Sequence, residues 1–495
     1  MKQKKQVDKN TRGKYAAPYA IIDCIGYGLS CGDNATKAFE HEAQAFVKLA
    51  KTDTSTALIG LFDGITATKK NRFASSTQTE KKQHNVCVLG AGLMGAGIAQ
   101  VSAERGMNVV LKDRDAKGVA KGIKYIGDNL DKKVKKRRLS VYERNLTIAR
   151  VQGYDENMLS GYERKVKNTH VVIEAVFENL QLKHDVLSQV EKLVSNNCII
   201  ATNTSALPIT NVAQGLKKKD RVLGMHYFSP VPQMQLLEII PHAETCDDAL
   251  RIAFQVGIDQ GKTCILVKDV PGFYVNRALA PQMAEIGPLF ADGVDPAKLD
   301  AAILDLGMPV GPITLLDEVG ADVALHVQNT MIADPTMENR MDGADPTMLQ
   351  KIVDNGWLGR KSGKGFFLYN TKGKSKKKEP NQKALDFVQN ELKQRDLDIP
   401  LLDIQDRYLA RFVNEAAVCL QEGIIDSPQD ADLAAVFGVG FLPFTGGPFR
   451  MLDARGTASY VDRMHFLADT YGSRFSPCQL LLDYAKSGSK FYPLS

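Results

Sequence analysis

Three glycines and an aspartate form the pattern in this sequence that most directly suggests a chemistry. Gly90, Gly92 and Gly95 follow a short apolar run, and Asp113 ends the next apolar run of the chain. In such a pattern the first glycine permits a tight turn, the second leaves room for a pyrophosphate, and the third lets a helix lie close to the strand. Exposed amides at the helix N-terminus bind the phosphates. The pattern therefore predicts a dinucleotide site.

The acidic residue of this pattern indicates which dinucleotide binds. A carboxylate at the position of Asp113 accepts hydrogen bonds from the ribose hydroxyls. Arg114 is next in the chain and could receive the 2′-phosphate of the phosphorylated cofactor, but Asp113 would repel that phosphate. NAD is therefore the predicted cofactor.

A histidine and a glutamate could supply the acid–base chemistry that a nicotinamide enzyme needs. His226 follows a predicted strand, and Glu238 lies inside the next apolar run. A carboxylate is costly to bury unless it is paired, so Glu238 is expected to have a partner. A histidine at a strand end is by itself more often structural than catalytic. A nicotinamide site at the same sheet edge reverses that expectation, because oxidation of an alcohol requires a base for the hydroxyl proton.

Alternating elements must hold these residues together. Apolar runs separated by helical patterns occur at 86–89, 109–111, 171–176, 198–201 and 221–225. Strands separated by helices imply parallel pairing with right-handed crossovers, and therefore a doubly wound sheet. Ligands of such sheets bind beyond the carboxyl ends of the strands. This rule selects three stretches: Glu174 to Asn179, Thr202 to Ser205, and His226 onward.

Composition places the chain among ordinary soluble globular proteins of several domains. Its 495 residues are 44% hydrophobic and 24% charged, and the net charge of +6 is mild. The densest basic cluster, residues 132–138, lies in a helical pattern. A solvated helix face is the preferred interpretation, and the phosphates of an acyl carrier or an acidic membrane surface are the alternatives. Nucleic acid is disfavoured, because no aromatic residues interleave with the cluster.

The eight cysteines show neither paired spacing nor metal-ligand spacing with histidine. They predict small buried side chains in a reducing compartment, and no metal site. No apolar run is long enough to cross a bilayer. The basic segment 1–14 lacks the apolar core of a signal peptide, so this terminus does not indicate a location.

The C-terminal half contains an internal repeat. Three dipeptides recur at a nearly constant offset: Val275-Asn276 as Val413-Asn414, Gly311-Pro312 as Gly447-Pro448, and Leu316-Asp317 as Leu452-Asp453. The repeat predicts two related helical domains. No glycine-rich turn precedes the second copy, so we expect it to pack against the first and to be structural.

The predicted fold class is α/β: a doubly wound Rossmann domain followed by two related all-α domains, with a short helical segment at the N-terminus. The predicted divisions are a helical segment 1–67, a linker 68–83, the nucleotide-binding domain 84–269, the first helical domain 270–370, a linker and helix 371–400, and the second helical domain 401–495.

Six motifs together resemble one known family. They are GAGLMGAGIAQ from Gly90, EAVFEN at 174–179, TNTS at 202–205, HYFSPVPQMQLLEI from His226, PGFYVNR from Pro271 and GRKSGKGFF from Gly359. From about residue 84 to residue 495 the sequence resembles the 3-hydroxyacyl-CoA dehydrogenase family. Within that family it is similar to the dehydrogenase part of the alpha subunits of mitochondrial trifunctional fatty-acid oxidation enzymes.

The resemblance implies an NAD-dependent oxidation of 3-hydroxyacyl-CoA to 3-oxoacyl-CoA in fatty acid beta-oxidation. By the same resemblance His226 is the catalytic base and Glu238 its carboxylate partner. Ser205 and Asn276 are implied to hydrogen-bond the substrate oxygen or the histidine. Glu178 and Asn203 are implied to line the nicotinamide end of the cofactor. A mitochondrial location, an oligomeric state, a thiolase-type beta subunit as partner and peripheral membrane association are further implications.

Two departures from the family pattern affect these expectations. Single-function members of the family have asparagine where this chain has Ser229, so that position is left outside the predicted site. The segment 15–80 resembles only the closing helices of an enoyl-CoA hydratase (crotonase-like) domain and its linker, without the oxyanion loop or the catalytic glutamates. Hydratase activity is therefore not expected. A truncated gene product, a partial gene model and a dehydrogenase-only form all agree with this sequence.

Two other functions stay open at this point. One is a dehydrogenase acting on a different short hydroxy acid, because a Rossmann domain does not specify its substrate. The other is a non-catalytic scaffold that holds a thiolase-type partner. The spacing of His226 and Glu238 argues against the scaffold, which has no need of it.

Overall fold

The computed structural model describes residues 2–74, 84–369 and 378–493. Most of the predicted linker 68–83 lies outside these ranges, as do residues 371–377 at the start of the second predicted linker and residue 370 before it. The chain forms two compact units. One contains residues 64–274 and 423–426, and the other contains residues 1–63, 275–422 and 427–495.

Helices make up most of the regular structure. In chain order they are α1 (Lys2–Thr11), α2 (Ala17–Ser30), α3 (Ala35–Ala50), α4 (Asp53–Thr68), α5 (Leu93–Glu104), α6 (Ala116–Lys135), α7 (Val141–Ala149), α8 (Leu159–Val166), α9 (Leu180–Glu191), α10 (Ile209–Ala213), α11 (Asp247–Asp259), α12 (Val275–Ala284), α13 (Ile286–Ala291), α14 (Pro296–Leu306), α15 (Pro312–Val319), α16 (Ala321–Ile332), α17 (Pro346–Asp354), α18 (Gln382–Phe387), α19 (Leu401–Gln421), α20 (Pro428–Ala434), α21 (Pro448–Arg455), α22 (Thr457–Tyr471) and α23 (Gln479–Ser487). Within the described ranges, no helix is both long and apolar enough to span a membrane.

An eight-stranded sheet forms the centre of the unit that contains residues 64–274. Its strands are β1 (Asn85–Leu89), β2 (Asn108–Lys112), β3 (Val151–Tyr154), β4 (Val171–Glu174), β5 (Ile199–Thr202), β6 (Val222–Tyr227), β7 (Leu236–Pro241) and β8 (Thr263–Leu266). They lie in the order β3-β2-β1-β4-β5-β6-β7-β8, and the first six are parallel. This order confirms the predicted doubly wound α/β class.

The last two strands run the other way, which the sequence pattern did not indicate. Strand β7 pairs antiparallel to β6, and β8 pairs parallel to β7. The ladder with β7 includes His226 and Tyr227, whereas the ladder between β5 and β6 ends at Gly224. His226 therefore lies inside β6. The expectation that it follows the strand was wrong, because pairing with β7 extends the strand to Tyr227.

Capping and packing explain the two helices, α6 and α7, that follow Asp113. Asp115 caps α6 by accepting from the Gly118 amide, and Ser140 and Glu143 form a capping box that starts α7. The basic cluster 132–138 occupies the last turn of α6 and the turn beyond it. Lys133 pairs with Glu104 at 2.6 Å. Lys133 thus makes a contact between helices, whereas the other basic residues of the cluster are exposed, which agrees with the interpretation as a solvated helix face.

The helical unit contains the two copies of the repeat, and each copy has an aspartate that caps the start of a helix. In the first copy Asp300 accepts a hydrogen bond from the Ile313 amide at 2.8 Å, next to the Gly311-Pro312 start of α15. In the second copy Asp432 accepts one from the Phe449 amide at 2.8 Å, next to the Gly447-Pro448 start of α21. Each aspartate accepts hydrogen bonds from first-turn amides that have no partner within the helix, at a buried helix N-terminus.

In each copy, a second aspartate accepts hydrogen bonds from two consecutive backbone amides. Asp317 accepts from the amides of Phe366 and Phe367 at 3.0 and 2.9 Å. Asp453 accepts from the amides of Phe491 and Tyr492 at 2.9 and 2.8 Å. The repeat in the sequence therefore corresponds to a repeat of backbone contacts in the structure.

Helices α12 and α19 bring the two copies together in an antiparallel arrangement. Arg277 of α12 donates to Glu415 of α19 at 3.0 Å. Further along α12, the Pro281 carbonyl accepts from Arg411, which lies earlier on α19. Arg277 and Glu415 are matching positions of the repeat, because each directly follows the Val-Asn dipeptide of its own copy. Matching positions of the two copies therefore meet at this helix pair, as they would about a local two-fold axis.

Buried charges reinforce this packing. Arg407 of α19 is completely buried and donates to Glu285 at 2.9 and 2.6 Å and to Asp292 at 2.8 Å. Arg474 also donates to Glu285, at 2.7 Å. The guanidinium of Arg407 lies 4.4 Å from the ring centre of Tyr471. A buried charge of this kind is tolerated because it is paired and hydrogen-bonded.

Replacement of Arg407 by methionine should destabilise the helical unit strongly. It leaves buried carboxylates without one of their cations, and breaking such a pair typically costs about 3–5 kcal/mol. Urea unfolding followed by circular dichroism measures the change. The control is Lys351→Met, because Lys351 pairs with Glu391 at 2.7 Å with both side chains about half exposed. That change should cost less than about 1 kcal/mol. Equal losses of unfolding free energy in the two variants would contradict the stabilising role of the buried Arg407 contacts.

Candidate active site

The glycine turn between β1 and α5 has the geometry that the sequence predicts. Gly90 has a φ of +97°, and a Cβ atom there would lie 2.6 Å from the carbonyl oxygen of Ala175. A Cβ at Gly95 would collide with the Gly90 carbonyl oxygen. A Cβ at Gly92, the N-cap of α5, would meet no atom within 4 Å. The first and third glycines are therefore required by the protein itself, and the second faces open space.

Asp113 lies directly after β2 and braces the turn. Its Oδ2 atom accepts a hydrogen bond from the Ala91 amide at 2.6 Å, and its Oδ1 atom accepts one from the Arg114 amide at 2.8 Å. Each carboxylate oxygen can accept more than one hydrogen bond, so these contacts leave acceptor capacity for ribose hydroxyls. The open space at Gly92, the N-terminus of α5 and this carboxylate fit NAD. They would hold its pyrophosphate and its adenosine ribose.

The predicted base and its partner face each other across two strands. His226 of β6 and Glu238 of β7 are direct neighbours in the antiparallel ladder. Their Nδ1 and Oε2 atoms are 2.7 Å apart. His226 is 5% exposed and Glu238 is completely buried. A carboxylate only accepts hydrogen bonds, so Nδ1 carries the proton of the neutral imidazole. Nε2 is then the atom that can accept a proton.

Neighbouring groups fix this pair in place. The Oε1 atom of Glu238 accepts a hydrogen bond from the Tyr274 amide at 3.3 Å. The rings of Phe228 and Phe273 lie 4.5 and 5.5 Å from the imidazole centre. The imidazole is thus oriented by a carboxylate on one nitrogen and by aromatic rings around it, which is the arrangement of a fixed general base.

Glu178 and Ser205 lie together beyond the ends of β4 and β5. The Oε1 atom of Glu178 accepts from the Ser205 amide at 3.0 Å and from the Thr204 hydroxyl. Its Oε2 atom lies 3.2 Å from the Lys183 ammonium. Burial acts to raise the pKa of Glu178, but Lys183 and these donors outweigh it, so the pKa lies below its usual value. Glu178 is thus a fixed anion that holds the loop bearing Ser205.

Asn203 connects this loop to the strand of the base. Its Oδ1 atom accepts a hydrogen bond from the Tyr227 amide, next to His226, at 2.9 Å. Asn276, the remaining predicted residue, lies in the first turn of α12 in the helical unit. Its role toward the substrate stays a prediction, as do the roles of the other site residues. No cluster of metal ligands occurs among the described residues.

Sequence reasoning missed the buried pair behind this site. Glu174 at the end of β4 accepts from Lys183 of α9 at 2.9 and 3.0 Å and from the Thr202 hydroxyl at 2.6 Å. Both charged side chains are almost completely buried. Glu174 stands at the end of an apolar run, which is a usable signal. Lys183 is buried only through its tertiary pairing with Glu174. In the sequence it therefore cannot be distinguished from any other lysine of a helix.

Family models match most of the described chain. Residues 85–270 match the model of the 3-hydroxyacyl-CoA dehydrogenase NAD binding domain. Residues 272–369 match the model of the 3-hydroxyacyl-CoA dehydrogenase C-terminal domain. The two models therefore cover the eight-stranded sheet and the first copy of the helical repeat.

Curated relatives include the fatty acid oxidation complex subunits alpha of two Vibrio species. The chain is 40% identical to that of Vibrio vulnificus (strain CMCP6) over 489 residues, which are 99% of this chain and 66% of the relative. It is 40% identical over 492 residues to that of Vibrio cholerae serotype O1, with the same coverage. The chain thus spans about 66% of the length of these relatives.

Solved structures of two dehydrogenases are similar to this chain. The 3-hydroxybutyryl-CoA dehydrogenase of Escherichia coli K12 is 26% identical with a TM-score of 0.69, covering 82% of this chain and 99% of its own. The (S)-3-hydroxybutyryl-CoA dehydrogenase of Ralstonia eutropha is 36% identical with a TM-score of 0.53, covering 59% of this chain and 100% of its own.

Alanine at Gly92 should weaken NADH binding, whereas alanine at Gly95 should lower the stability of the fold. Gly92→Ala should change the free energy of unfolding by no more than about 1 kcal/mol, because its Cβ meets open space. It should weaken NADH binding at least about tenfold, because that space admits the pyrophosphate. Gly95→Ala should cost about 1–3 kcal/mol in unfolding through its clash with Gly90. Urea unfolding and NADH fluorescence titration measure both. Unchanged NADH affinity in Gly92→Ala would place the pyrophosphate elsewhere.

Proposed function

Since the chain belongs to the 3-hydroxyacyl-CoA dehydrogenase family, we propose that it is the NAD-dependent enzyme that oxidises 3-hydroxyacyl-CoA to 3-oxoacyl-CoA in fatty acid beta-oxidation. One observation carries this proposal. A buried imidazole, paired with a buried carboxylate, lies on the same sheet as a glycine turn shaped for a dinucleotide. An alcohol dehydrogenation needs both parts, one for the proton and one for the hydride.

His226 and Glu238 carry the proton chemistry. Nε2 of His226 accepts the proton of the substrate 3-hydroxyl group, and the imidazole becomes a cation. Glu238 stabilises that cation through its hydrogen bond to Nδ1 and holds the ring in the required orientation. In the reverse direction the same nitrogen returns the proton to the 3-oxo oxygen. NAD, when bound at Gly90, Gly92, Gly95 and Asp113, supplies the hydride acceptor.

Ser205 and Asn276 align the hydroxyl group in this proposal. The loop that carries Ser205 is fixed by Glu178 through the Ser205 amide. Hydrogen-bond donors placed in advance stabilise the oxygen as its charge changes, and removal of one such donor typically costs about 10²- to 10³-fold in rate. Glu178 and Asn203 line the nicotinamide end, and Glu178 is available as an anion because its pKa is low.

The assembly and the location are further proposals. The relatives are named as alpha subunits of a fatty acid oxidation complex, which supports a thiolase-type beta subunit as a partner and an oligomeric state. The mitochondrial location and the membrane association rest on the family resemblance alone. Co-purification with a thiolase-type chain tests the partner. The alternative function, a dehydrogenase of another short hydroxy acid, is tested by comparing the rates of reduction of acetoacetyl-CoA and of free 3-oxo acids.

His226→Gln should abolish most of the turnover of acetoacetyl-CoA with NADH. Loss of a positioned base typically costs about 10²- to 10⁴-fold, and NADH affinity should be nearly unchanged because the glycine turn is intact. The decrease in NADH absorbance measures the rate, and a fluorescence titration measures binding. Glu238→Gln should also lower the rate by about 10²-fold or more, since an amide can impose the wrong tautomer.

His242→Gln is the matched control. His242 is a second buried histidine, just beyond the far end of β7, and its Nε2 atom contacts the Lys219 carbonyl oxygen at 2.8 Å. Its replacement should leave the turnover within about twofold of the wild-type chain, because the residue lies outside the proposed machinery. Turnover of His226→Gln within a few-fold of wild type would refute the assignment of the base. Inactivity of the wild-type chain despite NADH binding would favour the scaffold function.

A further inference from the structure

The strand that carries the base is connected to the cofactor helix by a buried chain of polar groups. Tyr227, the residue after His226, donates from its hydroxyl to Oε1 of Gln260 at 2.8 Å. Nε2 of Gln260 donates to the Ser102 hydroxyl at 2.8 Å, and that hydroxyl donates to the Ile98 carbonyl at 2.8 Å. Ser102 and Ile98 belong to α5. The side chains of this chain of contacts are all buried.

A lysine close to Gln260 holds the loop that follows the base. Lys262 is buried, and its ammonium donates to the carbonyl oxygens of Val231 and Met234, both at 2.6 Å. These residues lie in the connection 228–235 between β6 and β7. Burial lowers the pKa of Lys262 to about 8. A buried ammonium is costly unless it is hydrogen-bonded, so both carbonyls are strongly held toward it.

The same loop also touches the cofactor helix directly. A Cβ atom at Gly97 of α5 would lie 2.9 Å from the Cβ of Val231. The connection 228–235 thus contacts α5 through Val231, and it contacts Lys262 through the carbonyls of Val231 and Met234. Its last residue is fixed as well, because the Gln235 carbonyl accepts from the Thr263 amide at 2.8 Å.

We propose that the turn Gln260–Lys262 sets the distance between the base and the cofactor, with Gln260 and Lys262 as positioning residues for the dehydrogenase reaction. The inference rests on the proposed function. Gln260 acts through Tyr227 and Ser102, and Lys262 acts through Val231 and Met234. By these contacts the strand that carries His226 and the helix whose N-terminus would hold the pyrophosphate of NAD move as one body. A misplacement of about 1 Å between reacting groups can cost about 10²-fold in rate.

Two substitutions that remove hydrogen bonds and keep volume test this role. Gln260→Leu breaks the chain from Tyr227 to Ser102, and Lys262→Met releases the loop carbonyls. Each should lower kcat for acetoacetyl-CoA reduction about tenfold while NADH affinity stays within about twofold of wild type. The primary deuterium isotope effect, measured with NADH deuterated at the transferred position, should rise because hydride transfer becomes slower than the other steps.

A control at the other end of the same strand separates positioning from stability. Thr245 accepts from the His242 amide at 3.0 Å and donates to the Val222 carbonyl at 2.8 Å, at the opposite end of β6 from His226. Thr245→Val removes these contacts and should lower the melting temperature while leaving kcat and the isotope effect unchanged. Rates are expressed per NADH site titrated by fluorescence, so that unfolded protein does not count. If Gln260→Leu does not fold, Tyr227→Phe breaks the same chain by removing a single hydroxyl.

The outcomes are distinguishable. A lower kcat with a larger isotope effect in both variants, and neither change in Thr245→Val, would support the positioning role. Wild-type rates and isotope effects in Gln260→Leu and Lys262→Met would overturn the inference and leave the proposed function intact. An inactive wild-type chain that binds NADH would overturn the proposed function and this inference with it.

Discussion

One hydrogen bond between a buried imidazole and a buried carboxylate constrains the strand directions and the connections of the sheet unit. His226 and Glu238 can face each other only because β7 reverses direction and pairs antiparallel to β6. In a continued parallel sheet a crossover helix would have to separate the two residues, and the connection 228–235 is too short to contain one. The reversal therefore allows a short connection to bring an acid and a base together. The connection itself must then be held, and the turn after α11 holds it.

In each of the two units, buried carboxylates accept hydrogen bonds from several donors. Glu174 accepts from Lys183, Thr202 and a backbone amide at the edge of the site. Glu285 accepts from two arginines in the helical unit. Such networks add little net stability compared with apolar packing, but they permit a single arrangement of their members. Rigidity of this kind suits a site whose reacting atoms must be placed within fractions of an ångström.

The parts that the sequence predicted are those governed by local rules. The glycine turn, its helix and Asp113 follow from steric limits within one strand–helix–strand unit, and the structure shows these limits at Gly90 and Gly95. The need of Glu238 for a partner was also predictable, because a carboxylate in an apolar run requires one. Strand β3 was missed, since its short sequence includes an exposed glutamine at the sheet edge. The reversal of β7, the burial of Lys183 and the hydrogen bonds of Lys262 to the connection 228–235 depend on tertiary contacts. No local sequence pattern predicts them.

The meeting of matching repeat positions, Arg277 and Glu415, has a consequence for how such repeats can pair. Across a true two-fold axis a residue meets its own copy, so a pair formed by the first repeat alone would place Arg277 against Arg277. A pair formed by the second repeat alone would place Glu415 against Glu415. Like charges at such a buried contact repel, whereas the unlike pair in this chain attracts at 3.0 Å. Fusion into one polypeptide therefore permits an asymmetry that a symmetric dimer cannot use. At this position the unlike pair favours contact between the two copies of one chain over contact of either copy with itself.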